Sequence, residues 1–299
     1  MGSMDDGVAV LLSSFNGARF VVEQLASIRT QTHRNIQIFW RDDASTDGTL
    51  DIVARCFGMV PLETGPRGVI ASYRWLLQAA YDMHYRMFAF ADQDDVWAPD
   101  KVERAVTALR GVRGPALYCA RQVLVDTELR RIGVSPPFHG PIGFPAALTQ
   151  NIATGCTILL NRPAVDLILK TLRGQQFHDW WSYLMIAAAG GQVITDEAEV
   201  VQYRQHAGNA IGAPATVLNR AKAAIRRGPR AFMNILRDHV AMLQRHIELL
   251  SPHARQDLAV IAAALAGGPF ARRQALSLSG FRRQTLSEDL LFRLWFVIG

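Results

Sequence analysis

Short apolar runs alternate with amphipathic stretches along the first 120 residues. Val8 to Ser13 is apolar and ends in Ser-Ser-Phe-Asn-Gly, and a helical pattern follows through Gln24, Leu25 and Ile28. Ile36 to Trp40 is a second run that halts at Arg41-Asp42-Asp43, after which Asp47-Gly48-Thr49 opens a helix toward Cys56. Ile70, Tyr73, Leu76, Leu77 and Ala80 share one face of a helix predicted over 68–81. Met87 to Ala91 is again apolar and feeds Asp92-Gln93-Asp94-Asp95, and Pro99 marks the start of a helix running through Val102 and Val106 to Leu109. Brief strands separated by helices of this length predict an α/β fold with a mostly parallel sheet joined by right-handed crossovers.

Beyond residue 120 the pattern changes twice. Residues 121–150 are turn-rich (Ser135-Pro136-Pro137, Gly140-Pro141), as expected of a loop over a site. The stretch from Thr154-Gly155-Cys156 to Leu160 is apolar and Pro163 to Leu172 is helical. After Gly174 come Phe177-His178-Asp179-Trp180-Trp181 and a helix through Leu184 to Ala189. Val193 and Val200-Val201 predict two last short strands ending at Tyr203-Arg204-Gln205-His206. Beyond Pro214 the character is helical, with Leu236, Val240, Leu243, Ile247 and Leu250 on one stripe. The expected division is one α/β domain over 4–212 and a helical, basic extension over 213–299.

Composition refines this picture. With 299 residues and 49% hydrophobic content the chain can bury a sizeable core. Its longest apolar stretch, Leu258 to Phe270, is too short to span a bilayer. Met1-Gly2-Ser3-Met4 lacks the features of a secretory signal and reads as a cloning remnant ahead of Met4. Cys56, Cys119 and Cys156 are far apart and without metal-ligand spacing, the pattern of buried thiols in a reducing, cytoplasmic setting. A pI near 9.6 invites a nucleic-acid reading. Yet residues 213–299 hold 13 Lys/Arg against 5 Asp/Glu, which leaves the body nearly neutral, and the aromatic–basic interleaving of a nucleic-acid module is missing. The expectation is no nucleic-acid partner.

The chemistry concentrates at three predicted strand ends: Ser13-Ser14-Phe15-Asn16, Asp42-Asp43 and Asp92-Gln93-Asp94-Asp95. In open parallel sheets such ends share one rim, where ligands bind. A D-x-D there supplies oxygens for Mg²⁺ or Mn²⁺ facing a diphosphate; it is equally a plain polar loop. Asp92-Gln93-Asp94-Asp95-Val96 also fits the D-x-D-x-V signature of aspartyl phosphohydrolases, although that signature belongs on a first strand and here other strands precede it. Asp42 and Asp43 suit a nucleobase or ribose, and Asp47 suits a helix cap. Asp179 suits a general base for an acceptor hydroxyl, or else a cap for the helix after it. Trp97, Trp180 and Trp181 suit a sugar face or the core. His178 reads as a packing residue.

Taken together, "LLSSFNGARF", "QLASIRTQTHRNIQIFWRDDASTDGT", "FADQDDVW", "TGCTILLNR", "FHDWW" and "YRQHAGN" resemble glycosyltransferase family 2, nearest its bacterial rhamnosyltransferase-like branch, over about residues 7 to 210. The resemblance implies a GT-A fold, a nucleotide-diphosphate sugar donor (dTDP-L-rhamnose first, UDP-sugars next), a divalent metal and inversion at the anomeric carbon. It places Ser13, Phe15, Asn16, Asp42, Asp43 and Asp92 on the nucleotide sugar. Asp94 and His206 fall on the metal and diphosphate, and Asp179 on the catalytic base. Ser13, Ala18, Ala44 and Ser72 depart from the family's usual proline, acidic residue, glycine and asparagine.

Acceptors implied by the resemblance are glycans or lipid-linked glycans of bacterial surface polysaccharide synthesis. The tail's clusters Arg226-Arg227, Arg230, Arg272-Arg273 and Arg282-Arg283, with apolar Leu290-Leu291-Phe292 and Leu294-Trp295-Phe296, suit an anionic membrane surface. The alternatives are helices packed on the catalytic domain or a homodimer.

Overall fold

The computed structural model describes residues 6–173, 177–206 and 217–299, with the backbone alone at 217–227. Met4, Gly174, Ala207 to Asn209, the boundary at 212/213 and the side chains of Arg226 and Arg227 lie outside the described residues.

Strands β1 (Val8–Ser14), β2 (Ile36–Asp42), β3 (Glu63–Thr64) and β4 (Met87–Ala91) are separated by helices α1 (Val21–Arg29), α2 (Thr49–Phe57) and α3 (Val69–Asp82). β1 pairs in parallel with both β2 and β4, as the alternation predicts, and β3, which the pattern does not predict, pairs in parallel with β2. The short β5 (Val96–Trp97) and α4 (Lys101–Leu109) follow. The rest of the sheet is built from β6 (Ala116–Val125), β7 (Arg131–Val134), β8 (Leu159–Asn161) and β9 (Gln192–Arg204), in the order β3-β2-β1-β4-β8-β6-β9-β5 with β7 beside β6. β8 runs antiparallel to both β4 and β6, and β6 and β9 are parallel. A mixed sheet is the result: β8 is reversed between β4 and β6, and the short β5 and β7 also run antiparallel to their partners.

Three expectations are corrected here. β6 enters the stretch expected to be loop, and its pattern is masked because Arg121 and Gln122 interrupt the apolar run at a shift in register with β9. Val193 and Val200-Val201 belong to one strand, β9, rather than two; that same irregularity bends it between its apolar ends. Cys56 is exposed on α2, while Cys119 and Cys156 are buried.

Helices cover both faces. α1, α2 and α4 close one side over Val10, Leu12, Ala89 and Ala91. On the other lie α3, α5 (Arg162–Thr171) and α6 (His178–Ala188), over Ala9, Leu11, Phe88 and Phe90. Asn161 caps α5 by accepting from Ala164 N, with Pro163 in its first turn.

The C-terminal helices are α7 (Val217–Arg245, broken at Gly228-Pro229), α8 (Pro252–Ala266), α9 (Pro269–Ala275) and α10 (Leu286–Ile298). They extend the core of α5 and α6: Met233, Leu236, Leu243, Phe281, Phe292 and Phe296 are fully buried within it. The aromatic residues Phe292, Trp295 and Phe296, expected among lipid headgroups, instead pack inward against Phe232 and Phe281. Ile247 leaves the predicted stripe because α7 ends at Arg245, and it is exposed. Among the described residues no helix is long and apolar enough to cross a membrane.

His239 of α7 joins this extension to the α/β body, its ring set edge-on to Trp180 at 4.7 Å and beside Trp181 at 6.2 Å. Burial pushes its imidazole down to about 4. Between the unfolded value near 6.5 and about 4, the unfolded chain therefore binds the proton that the folded chain refuses. Stability should fall as pH drops through that window, by roughly 3 kcal/mol at its acid end, and His239→Phe should flatten the slope. Urea titrations of both proteins at pH 7 and pH 4.5 would measure it; equal slopes would show that His239 is not the group responsible.

Candidate active site

β1, β2 and β4 end side by side, with Ser14 opposite Asp42 and Leu12 opposite Ala91, so the three polar strand ends meet on one rim. Ser14 Oγ and Ser45 Oγ both donate to Asp42 Oδ2 (2.7 Å each), and Ser45 N donates to Oδ1 at 2.7 Å. Asp42 is fully buried. Its expected place on the nucleoside is thereby corrected: its oxygens are taken up in holding the β2 loop. Asp43 is partly exposed, and accepts from Arg41 Nη1 at 2.8 Å, Arg67 N at 2.6 Å and Gly68 N at 3.0 Å. These donors outweigh its partial burial and hold its carboxyl below the usual range.

Ser13 is partly buried at the end of β1, and Phe15 and Asn16 stand exposed beyond it. Asn16 takes a left-handed backbone (φ 49) and stitches two loops, donating through its N–H to Ser45 Oγ at 2.8 Å and accepting from Thr46 N at 2.9 Å. Ala44 also lies in that left-handed region (φ 68), which is why a glycine is usual there. Gln93 clamps Phe15: its Oε1 accepts from Phe15 N and its Nε2 donates to Phe15 O, both at 2.8 Å.

In the carboxylate loop itself, Tyr73 Oη donates to Asp92 Oδ1 at 2.8 Å. Burial, then the charge of Asp94, push the Asp92 carboxyl up to about 7 against that hydrogen bond, and Asp179 adds to the rise. Asp94 and His206 meet, Oδ2 to Nε2 at 2.8 Å, with 14% and 19% of their side chains exposed. The His206 ring stacks on Phe20 at 5.0 Å. Arg204, at the end of β9, brings this pair together: its Nε donates to Asp94 O at 2.8 Å and its backbone N to Asp95 Oδ1 at 3.2 Å. It also pairs with Glu23.

Asp92, Asp95 and Cys156 form a second cluster of metal-ligating atom types. It suits an ion poorly. Asp95 and Cys156 are fully buried, and burial with the adjacent carboxylates drives the Cys156 thiol far up, so it stays protonated.

Asp179 lies in the first turn of α6, partly exposed, behind the β8 entry loop. Its Oδ2 accepts from Asn151 Nδ2 at 2.9 Å and its Oδ1 from Trp180 N at 2.7 Å. The helix opens at His178 from Phe177 without a side-chain cap, so Asp179 is not the cap that its position suggests. His178 packs as expected, stacked on Tyr73 at 4.2 Å and edge-on to Phe90. The tryptophans separate. Trp180 is partly exposed, donating to Ala147 O at 2.8 Å. Trp181 is fully buried and Trp97 nearly so, the latter with Lys101 Nζ 3.4 Å from its ring centroid. The expectation that Trp97 and Trp181 line an acceptor site is corrected: neither reaches the surface.

The family model for glycosyl transferase family 2 matches residues 9–166, more than half of the chain. The chain belongs to glycosyltransferase family 2. The dTDP-rhamnosyl transferase RfbG of Shigella flexneri is 26% identical over 216 residues, covering 68% of this chain and 74% of its own. The UDP-Glc:alpha-D-GlcNAc-diphosphoundecaprenol beta-1,3-glucosyltransferase WfaP of Escherichia coli is 25% identical over 206 residues, covering 68% and 78%. Among solved structures, residues 1–349 of Staphylococcus aureus TarS share the fold with a TM-score of 0.58 at 14% identity, over 98% of this chain and 81% of that one.

In this glycosyltransferase, sequence reasoning overlooked the residues that position the rim: Arg41, Tyr73, Gln93, Asn151 and Arg204. A signal existed for two of them. Arg41 follows the apolar run of β2 and Arg204 comes soon after Val200-Val201 of β9, positions where a charge is buried only if partnered. Asn151 lies in a turn-rich tract that carries no such signal.

Gly17 makes the Gln93 clamp testable. A Cβ there would stand 2.2 Å from Gln93 Oε1. Gly17→Ala should evict Gln93 and cost roughly 1–2 kcal/mol, the worth of two hydrogen bonds. In a Gln93→Ala background the same substitution should cost almost nothing. Thermal denaturation of the double-mutant cycle reads the coupling, and additive losses would sink the clamp.

Proposed function

We propose that the protein is a metal-dependent, inverting glycosyltransferase that moves a sugar from a nucleotide-diphosphate donor to a glycan or lipid-linked glycan of bacterial surface polysaccharide synthesis. One observation carries the reading: residues far apart in sequence come together, with Asp94 paired to His206, and with Tyr73 holding Asp92 while stacking on His178, the neighbour of Asp179.

The donor set fits a divalent cation, because a carboxylate oxygen and an imidazole nitrogen lie in contact and partly open to solvent. Asp94 and His206 would hold Mg²⁺ or Mn²⁺. Such an ion, when bound, offsets the negative charge gathering on the departing diphosphate. Phe15 and Asn16 at the β1 end, with Asp43 at the β2 end, would bind the nucleoside, and Ser13 and Asp92 would lie toward the donor sugar. Asp179 takes the proton from the acceptor hydroxyl as that oxygen attacks the anomeric carbon from the face opposite the leaving group. Two donors, Asn151 Nδ2 and Trp180 N, fix the carboxylate's plane while leaving each oxygen a free lone pair. Trp180 is the tryptophan left to face an acceptor sugar.

Base and metal roles are separable by substitution. Asp179→Asn keeps the shape but takes no proton, so kcat should fall roughly 10²- to 10⁴-fold with nucleoside diphosphate affinity unchanged. Asp94→Ala should abolish the dependence of nucleoside diphosphate affinity on Mn²⁺. Steady-state kinetics and calorimetric titration with and without Mn²⁺ check both; undiminished turnover in Asp179→Asn would exclude its role as the base.

For the donor we favour dTDP-L-rhamnose over UDP-sugars, supported by the sequence resemblance and by the similarity to the Shigella flexneri transferase. Calorimetric titration should show tighter binding of dTDP than of UDP, and a preference for UDP would overturn the rhamnose assignment.

A further inference from the structure

α10 carries two apolar faces, and only one of them is used. Phe292, Trp295 and Phe296 are buried in the core. Around the helix from them, Leu286, Leu290, Leu294 and Ile298 are 76%, 60%, 54% and 62% exposed. At a spacing of four they rise turn upon turn as a single stripe, flanked by half-buried Leu291 and Val297. Thr285 caps the helix by accepting from Glu288 N, so the stripe is rigid from its first turn. Phe270, 74% exposed, adds a bulky apolar side chain on α9, which packs against α10.

The charges around this stripe are one-sided. The segment 269–299 contributes Arg272, Arg273, Arg282, Arg283 and Arg293 against Glu288 and Asp289. Asp289 is turned inward, accepting from Arg283 N at 2.9 Å and Arg293 Nε at 2.7 Å. Arg273 and Arg282 are exposed. A second copy of the chain is a poor occupant. A stripe about 20 Å long and about 10 Å wide falls far short of the roughly 800 Å² per partner that a stable dimer buries. A lipid surface requires only one such helix face with cations beside it.

We propose that the outer face of α10 is a membrane-docking surface. Leu286, Leu290, Leu294 and Ile298 seat among the headgroups and upper acyl chains of an anionic bilayer, and the exposed Arg273 and Arg282 engage the lipid charge. The proposal deepens the lipid-linked acceptor reading above, on which it rests for its purpose; its physical basis is the stripe itself.

The test is flotation of the full chain with vesicles of phosphatidylglycerol and phosphatidylcholine, or of phosphatidylcholine alone, at low and high salt. Wild type should float with the anionic vesicles, and high salt should release most of it. Leu290→Glu with Leu294→Glu should cut the bound fraction at least tenfold, as should Arg273→Ser with Arg282→Ser, which spares the apolar stripe. All four positions are exposed, so melting temperature and nucleoside diphosphate affinity should match wild type in both variants. Wild type left unbound at low salt overturns the proposal, as does binding that survives the leucine substitutions. Light scattering that finds a dimer broken by those substitutions, with no vesicle binding, also overturns it in favour of a second copy. Vesicle binding by a protein with no affinity for nucleoside diphosphates would leave the docking face standing while removing the transferase reading.

Discussion

Arg204 and Arg41 are guanidinium cations with only 1% of each side chain exposed, and between them they tie the elements of the rim together. Burying an isolated guanidinium costs several kcal/mol, so each is tolerable only when its donors are matched. Arg41 spends its own on Asp43, Glu63, Ser72 and the carbonyl of Gly65, joining β2, β3 and α3. Arg204 spends its own on Glu23, the carbonyls of Asp94 and Thr127, and the face of Phe20. It thereby ties the last strand to α1, to the carboxylate loop and to the tip of the β6–β7 hairpin. Asp92, Asp94 and Asp95 would repel one another in an unsupported loop. The crowding is tolerated because Tyr73 Oη donates to Asp92 and the Arg204 backbone N to Asp95, while burial and the neighbouring carboxylates push both carboxyls up toward their neutral form.

The two arginines also account for what was readable from the chain and what was not. The parallel half of the sheet was legible because each buried strand there is a continuous apolar run, and each run ends on a residue that bears chemistry. β8 was legible as an apolar segment but not as a reversed strand, since direction depends on the connection made rather than on hydrophobic pattern. β6 was missed for a related reason: Arg121, paired with Glu197 and donating to Ser135 O, breaks its apolar pattern. Candidate ligand residues such as Asp94 were easier to find than the residues holding them. A loaded strand end advertises itself; the support behind it is spread over the whole chain.

Asp42 is the instructive error. It stands beside Asp43 in sequence and shares its chemistry, yet it is buried and saturated by Ser14 and Ser45 while Asp43 stays partly open. Neighbouring residues on a strand point to opposite faces, so two adjacent aspartates at a strand end have different surroundings. Trp180 and Trp181 divide in the same way at the start of α6, one partly exposed at the site and the other donating to Thr171 in the core. Adjacent identical residues invite one shared role, and backbone geometry assigns them two.

The C-terminal helices give the last step. Their core is continuous with that behind α6, and His239 touches both tryptophans that follow Asp179. The turn carrying Asp179 is therefore braced from behind by α7, and from the front by Asn151 in the loop before β8. A carboxylate that must meet a hydroxyl at hydrogen-bond distance gains from a rigid mount, because small displacements of a catalytic group are costly in rate. Far from being a solvated appendage, α7 from Phe232 onward forms part of the wall against which the candidate base is held. Whatever surface α10 engages is then connected, through packed side chains rather than a flexible tether, to the helix that carries Asp179.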